Sequence, residues 1–182
     1  MNILSIDPSS HSTGTYSRVN GKNYFLSLCY DGKKGHNQIL AALNEYFRER
    51  CTKKIYDVAF IEGYALAKMS RSTHTQPELG GAIKAAITSN GVPIITVGIM
   101  TWKWLTIGHE IKKPHDEKEA VEYIEAVNKE YDIRCYTPDE ADAYMIYYAC
   151  VKILKEQCKM TDARVKIRDQ LLEIKKGKGE TK

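Results

Sequence analysis

The sequence predicts an α/β fold in which helices pack on a mixed sheet. Two observations carry this. The first thirty residues read as consecutive strands joined by a hairpin turn. Beyond them, strand-like and helix-like periods alternate. An antiparallel meander followed by alternating β and α segments implies a mixed sheet with helices on its faces.

"NILSID" opens the chain as a short apolar run ending at an aspartate, the pattern of a buried strand. "TGTYSRV" and "KNYFLSLCY" follow, separated by Asn20-Gly21, a strong hairpin signal. Tyr24, Leu26, Leu28 and Tyr30 alternate with Phe25, Ser27 and Cys29, which is strand period. "GKKGHNQ" breaks the pattern. From Asn37 to Arg50, Ile39, Leu40, Leu43 and Phe47 fall on one helix face. "DVAFIEG" is another buried strand ending at a carboxylate, Glu62. "PELGGAIKAAITSNG" reads as a helix stopped at Asn90-Gly91. Gly80-Gly81 inside it costs helix stability, so close backbone packing is expected there. "VPIITV" is a fifth strand and "MTWKWLTIG" a short helix. Asp116 caps a longer helix, with Glu119 placed as its capping-box partner. Thr137 caps a long helix that has Pro138 at its first position. Val165, Ile167, Leu171, Leu172 and Ile174 fit a last amphipathic helix, and "KKGKGETK" is expected to be disordered.

The chain has 182 residues, enough for one domain with a sizeable core. We expect that domain to span 1–158, with a basic helix or tail over 159–182. No apolar run is long enough to span a bilayer. The N-terminus lacks the basic region and cleavage site of a secretory signal. Cys29, Cys51, Cys135, Cys150 and Cys158 form no CxxC pair, which argues against a disulfide framework and for a reducing compartment. Net charge is +4, and residues 151–182 alone carry ten Lys or Arg against five Asp or Glu. That uneven balance suits a phosphate-rich partner, and equally a solvated tail.

Carboxylates mark the ends of several elements. Asp7 ends the first strand and Glu62 the fourth, and Asp139, Glu140 and Asp142 open the last long helix. Each has an ordinary explanation in turns, strand ends or helix capping. Glu140 is accounted for by a capping box with Thr137. Asp139 and Asp142 are three apart and share a helix face. Asp142 lies deeper, near the face carrying Met145, Ile146 and Ala149 inward, where an acid wants a partner. If the strands ending at Asp7 and Glu62 are neighbours and the helix packs across them, the acids meet. Like charges about 4 Å apart repel by about 4 kcal/mol at an effective dielectric near 20. Such a cluster protonates or binds a cation. All-oxygen ligands favour Mg²⁺ or Mn²⁺, and two such ions would suit phosphodiester cleavage.

"ILSIDPSSHSTG", "FIEGYALAK" and "DEADA" resemble, in order and spacing, the RuvC-type Holliday-junction resolvases of the RNase H-like superfamily. That family's first motif reads I-D-P-G-S-x-x-T-G. Ile6, Asp7, Pro8, Ser10, Thr13 and Gly14 match it, and Ser9 replaces the glycine. Glu62, Ala67 and Lys68 match the second motif, and Asp139, Asp142 and Ala143 the third, D-x-x-D-A. "DEKEAV" is similar to the family's E-K-x-x-V segment, which makes Lys118 a candidate active-site lysine; "MTWKWLTIG" offers Lys103 as a second basic residue. Ala65 stands where cellular enzymes tend to carry an aromatic, and "GHEIKKPHD" is an insertion that fits a viral or divergent member.

The resemblance covers roughly residues 1–155. It implies an RNase H-like five-stranded mixed sheet, a three-strand antiparallel meander plus two parallel strands, flanked by helices. It implies a cytoplasmic homodimer, in a bacterial or virus-infected cell, making paired cuts across a four-way DNA junction in strands of like polarity. The expected catalytic groups are Asp7, Glu62, Asp139, Asp142 and Lys118, the four acids holding two Mg²⁺ ions with Mn²⁺ as substitute. The expected DNA contacts are Ser9, Ser10, Tyr64, Lys68, Arg71, Lys103, Lys112 and Lys113, with His11 and His74 as weaker candidates. Lys103 sits between Trp102 and Trp104, which cannot both face the same way, so one belongs to the core. The competing readings are a broader RNase H-like nuclease acting on branched DNA or RNA–DNA hybrids, and a junction-binding module without catalysis. An actin-like or sugar-kinase ATPase needs two such domains and about twice the length.

Overall fold

The computed structural model describes residues 1–31, 33–53, 55–63, 75–112 and 114–179. The strands are β1 (Ile3–Pro8), β2 (Ser12–Val19), β3 (Lys22–Cys29), β4 (Val58–Gly63) and β5 (Ile94–Gly98). They form one sheet in the order β3-β2-β1-β4-β5. The pairs β1–β2 and β2–β3 are antiparallel. The pairs β1–β4 and β4–β5 are parallel. This is the mixed five-stranded sheet expected from the sequence. Asn20 (φ 51°) and Gly21 (φ 80°) both take positive φ, the geometry that a two-residue hairpin turn requires.

Helices cover both faces: α1 (His36–Cys51), α2 (Thr75–Ser89), α3 (Ile99–Lys103), α4 (Glu117–Tyr131), α5 (Pro138–Leu154) and α6 (Asp162–Gly179), with a 3₁₀ turn at Ile107–His109. Strand alternation sorts the core in two. Leu4, Ile6, Ala59 and Ile61 pack with Leu43, Phe47, Ile83 and Ile87 of α1 and α2. Ile3, Tyr16, Val58, Phe60 and Val97 point the other way and pack with Ala141, Met145 and Ile146 of α5.

α5 is the central helix of that second face. Met145, Ile146 and Ile153 are fully buried, each contributing about 1.5–3 kcal/mol on removal from water. Ala141, Ala143 and Ala149 are small enough to let its backbone lie close to the sheet. Tyr16 on β2 joins Tyr144 and Tyr147 on α5, with ring centroids 5.0 and 4.7 Å away. α6 buries Ile167 and Leu171 in the same core.

Helix starts follow the sequence signals, with one refinement. Asp116 accepts from the Glu119 N–H at 2.8 Å, and Thr137 from the Glu140 N–H at 3.2 Å. The reciprocal carboxylates reach one residue further back than a standard capping box, to the N–H groups of His115 and Tyr136, both at 2.8 Å. Three expectations change. The single short helix of "MTWKWLTIG" is α3 plus the 3₁₀ turn. A Cβ at Gly81 would meet nothing within 4 Å, so close packing is not why that glycine of the pair is there, while its neighbour Gly80 is buried. The segment expected to be disordered is helical through Gly179, because Leu171 and the half-buried Ile174 anchor α6. All five cysteines are free. Among the described residues, no helix is long and apolar enough to cross a membrane.

Candidate functional site

The parallel register carries Asp7 and Glu62 to the same end of the sheet. Ile6 of β1 pairs with Ile61 of β4, so the next residues along the two strands are Asp7 and Glu62. Adjacent strands lie about 4.8 Å apart, and both residues occupy the α5 face. Asp7 is 2% exposed.

Its neighbour on the other side is Gly14 of β2. The first turn of α5 sits directly on that glycine. A Cβ at position 14 would fall 2.0 Å from the Asp139 carbonyl oxygen. Hydrogen in place of a side chain is therefore the condition for bringing Asp139 and Asp142 to the strand carrying Asp7. Asp142 is buried as well, at 6% exposure.

Three neutral donors orient three of these acids. The Trp102 indole donates to Glu62 Oε1 at 2.9 Å. This contact follows from topology, since α3 begins right after β5, the strand beside β4. The Ser12 hydroxyl donates to Asp139, and the Tyr123 hydroxyl donates to Asp142. Burial chiefly, then the Asp142 charge and hydrogen bond and the Asp7 charge, push the Tyr123 phenol far up, so it stays a donor. Tyr30 is pushed up to about 12, first by burial and also by the charges of Asp139 and Asp7, against a lowering hydrogen bond from Thr13. Asp7 thus acts on both tyrosines, and Asp139 and Asp142 on one each.

The donor chemistry and placement fit a hard divalent cation: buried or half-buried carboxylates from β1, β4 and α5, gathered at one sheet end. Their present orientations do not make a finished cage. Among the described residues, no three His, Cys, Asp or Glu side chains are grouped so as to hold a metal. Glu62, Asp139 and Asp142 are each turned toward a neutral donor.

The other candidates lie around this centre. Lys118, on the first turn of α4, is 86% exposed and 3.8 Å from Glu122 rather than directed onto an acid of the cluster. A shallow cleft lined by His115, Asp116, Glu117, Pro138 and Asp139 adjoins it. Lys103 is half-buried, with Nζ 5.5 Å from the Trp102 ring centroid. Lys112 is exposed. Ser9 closes a turn with Ser12, its N–H reaching the Ser12 carbonyl at 2.9 Å. Ser10 Oγ lies 2.8 Å from His11 Nδ1 on the exposed surface. Tyr64, Lys68, Arg71, His74 and Lys113 lie outside the described residues. Glu140 is buried and occupied with the Tyr136 N–H, as its capping assignment anticipated.

Sequence reasoning gave no role to Ser12, Gly14, Trp102, Tyr123 or Tyr30. Gly14 was visible within the first motif. Tyr123 lies on the apolar face of α4 four residues before Val127, the usual signature of core. Nothing in one sequence marks a hydroxyl on that face as the partner of an acid nineteen residues on.

No protein-family model matches the sequence, and no curated protein matches it either. Solved structures do. The structure titled "T. thermophilus RuvC in complex with Holliday junction substrate" superposes with a TM-score of 0.65 at 15% identity, over 86% of this chain and 96% of that one. A second Thermus thermophilus RuvC structure gives 0.64 at 17% identity, over 86% and 97%. The yeast mitochondrial Holliday junction resolvase Ydc2 superposes more loosely, with a TM-score of 0.46 at 12% identity, over 96% of this chain and 83% of that one. The sheet order, the helices on both faces and the superpositions on the two Thermus thermophilus RuvC structures together show that the chain has the RuvC fold.

Proposed function

We propose that this protein is a divalent-metal-dependent endonuclease that resolves four-way DNA junctions by paired phosphodiester hydrolysis in strands of like polarity. The observation that carries the reading is the seating of α5 on Gly14, which sets two acids beside the strand end bearing Asp7 and Glu62. The RuvC fold supports it, since one of the similar structures is a RuvC bound to Holliday junction DNA.

Asp7, Glu62, Asp139 and Asp142 would hold the ions, Mg²⁺ or Mn²⁺. When bound, a pair of such ions supplies an acidified water and neutralises charge on a phosphodiester. The chain's own residues do the rest. The burial of Asp7 and Asp142 would strengthen their attraction for a bound cation by excluding water. Trp102, Ser12 and Tyr123 hold the carboxylates without cancelling their charge. Lys118, on the exposed first turn of α4 beside Glu122, would meet a phosphate arriving from solvent. A homodimer would match the two-fold symmetry of the junction.

The test is a synthetic four-way junction incubated with Mg²⁺, wild type beside Asp7→Asn. The reading requires paired nicks by the wild type, and none by a variant that still binds the junction. Cleavage of forks or RNA–DNA hybrids as fast as junctions would replace it with a broader nuclease. Binding without cleavage in Mg²⁺ and Mn²⁺ would leave a junction-binding module.

A further inference from the structure

Two residues beyond the indole that holds Glu62, a second tryptophan faces outward. Trp102 is fully buried, whereas Trp104 is 59% exposed. Trp104 stacks on His109, with centroids 5.3 Å apart and planes 25° from parallel. That imidazole is held at Nδ1 and lies beside an exposed carboxylate at Nε2. Nδ1 lies 2.6 Å from the Thr106 carbonyl oxygen and Nε2 lies 3.3 Å from Glu110 Oε1. The turn carrying His109 is itself pressed against the core, since a Cβ on Gly108 would come within 2.9 Å of the Trp102 ring. The stack is therefore rigid and is anchored on the same residue that orients Glu62.

A solvent-open groove of about 410 Å³ runs beside it, lined by Met100, Lys103, Lys112 and His115 as well as by the stack. That volume is in the range of small-ligand sites. Its lining is aromatic and cationic, with Glu110 the acid beside His109. An occupant needs a flat π-face and a negative charge close by. A nucleotide has both. A base inside a duplex is already stacked on both faces, so only an unpaired one can use the open side of Trp104.

We propose that the Trp104–His109 stack is a platform for an unpaired DNA base, whose flanking phosphates are met by Lys103 and Lys112. This rests on the reading of the protein as a branched-DNA nuclease and names how it grips a strand near the acids. Base–aromatic stacking is sequence-tolerant, so the platform should accept any base.

The test uses the intact protein in chelator and low salt, where DNA binds but is not cut. Tryptophan emission is followed during titration with oligothymidylate, a blunt duplex and a four-way junction. Oligothymidylate should quench the emission. Trp104→Ala should remove that quenching and weaken single-strand binding about tenfold, with duplex affinity nearly unchanged. Trp104→Phe should keep most of the affinity. Absence of quenching overturns the platform, as does a Trp104→Ala variant that loses duplex and single-strand affinity alike. If the wild type binds none of the three DNAs, the branched-DNA reading falls with it. If it binds the junction and Trp104→Ala changes nothing, the platform alone falls.

Discussion

Alanine at position 14 strikes the tightest contact among the described glycines and the candidate site together. Its Cβ would lie 2.0 Å from the Asp139 carbonyl oxygen and 2.7 Å from the Asp139 Cβ, where ordinary contact begins at 3.4 Å. The first turn of α5 must then retreat by about 1.4 Å, because the obstacle is backbone and no rotamer change relieves it. Further along, Met145, Ile146 and Ile153 keep α5 on the sheet, so the helix tilts rather than leaves. Overpacking of this kind costs about 1–3 kcal/mol. For a chain of this size that lowers Tm by roughly 2–12 °C. The effect on chemistry is larger, since a displacement of about 1 Å at a reacting group costs on the order of a hundredfold in rate. Urea unfolding followed by circular dichroism measures the first quantity, and junction cleavage the second. Gly81→Ala, in open space within α2, is the control and should gain up to about 1 kcal/mol. A Gly14→Ala protein that cuts at the wild-type rate would refute the idea that α5 seats the acids, whatever its stability.

Mg²⁺ or Mn²⁺ at about a hundred times its dissociation constant should stabilise the wild type by about 2.7 kcal/mol and leave Asp7→Asn nearly unmoved; equal Tm shifts in the two would remove Asp7 from the ion site. Trp102→Phe takes the donor from Glu62 and should cost about 1–3 kcal/mol, lowering kcat more than junction affinity; unchanged kinetics would mean that the indole only fills space. Tyr30 and Tyr144 are each pushed up to about 12, mainly by burial. The folded state holds their protons where the unfolded chain releases them. Stability present below pH 10 should therefore fall as pH rises from 10 through about 12, by at most roughly 2–3 kcal/mol for Tyr144 and by less for the half-buried, solvent-screened Tyr30, and an unfolding free energy that stays flat over that range would contradict the burial. Junction affinity should fall steeply between low and moderate salt, and Lys103→Ala should flatten that slope by about one counterion.

The sheet was legible because its signals are local. Asn20-Gly21 can hardly be read except as a hairpin turn, and β1 and β4 are short apolar runs that each end at an acid. The acids could be named from the ends of their elements, because a carboxylate beside a buried run needs a reason. What holds them could not. Trp102 reaches Glu62 because α3 follows β5 and β5 lies next to β4, a fact about strand order that no spacing between Glu62 and Trp102 encodes. The choice between Trp102 and Trp104 also waited on the fold, since both stand in one short segment and only tertiary contacts, with Glu62 and Gly108 among them, bury Trp102. α6 outran its expected end for a similar reason: its basic composition reads as solvated, and the contacts of Ile167 and Leu171 with the core are tertiary.

The choice of donors around the acids follows a physical logic. Among the described residues, the donors to Glu62, Asp139 and Asp142 named above are uncharged; a lysine or arginine in their place would orient the carboxylate and also neutralise it, leaving less charge for a cation. An indole, an aliphatic hydroxyl and a phenol orient without neutralising. The phenol can do so only while it keeps its proton, and burial with Asp142 and Asp7 ensures that across the ordinary pH range. Two ionised carboxylates brought to about 4 Å would repel by about 4 kcal/mol at an effective dielectric near 20. The fully buried Met145, Ile146 and Ile153 of α5 contribute about 1.5–3 kcal/mol each, so packing of the helix is strong enough to hold such a pair in place. On this view the hydrophobic seat of α5 and the acidity of its first turn are one device. The apolar residues seat the first turn of α5 against the strand bearing Asp7, and the neutral donors orient the acids without adding a competing positive charge.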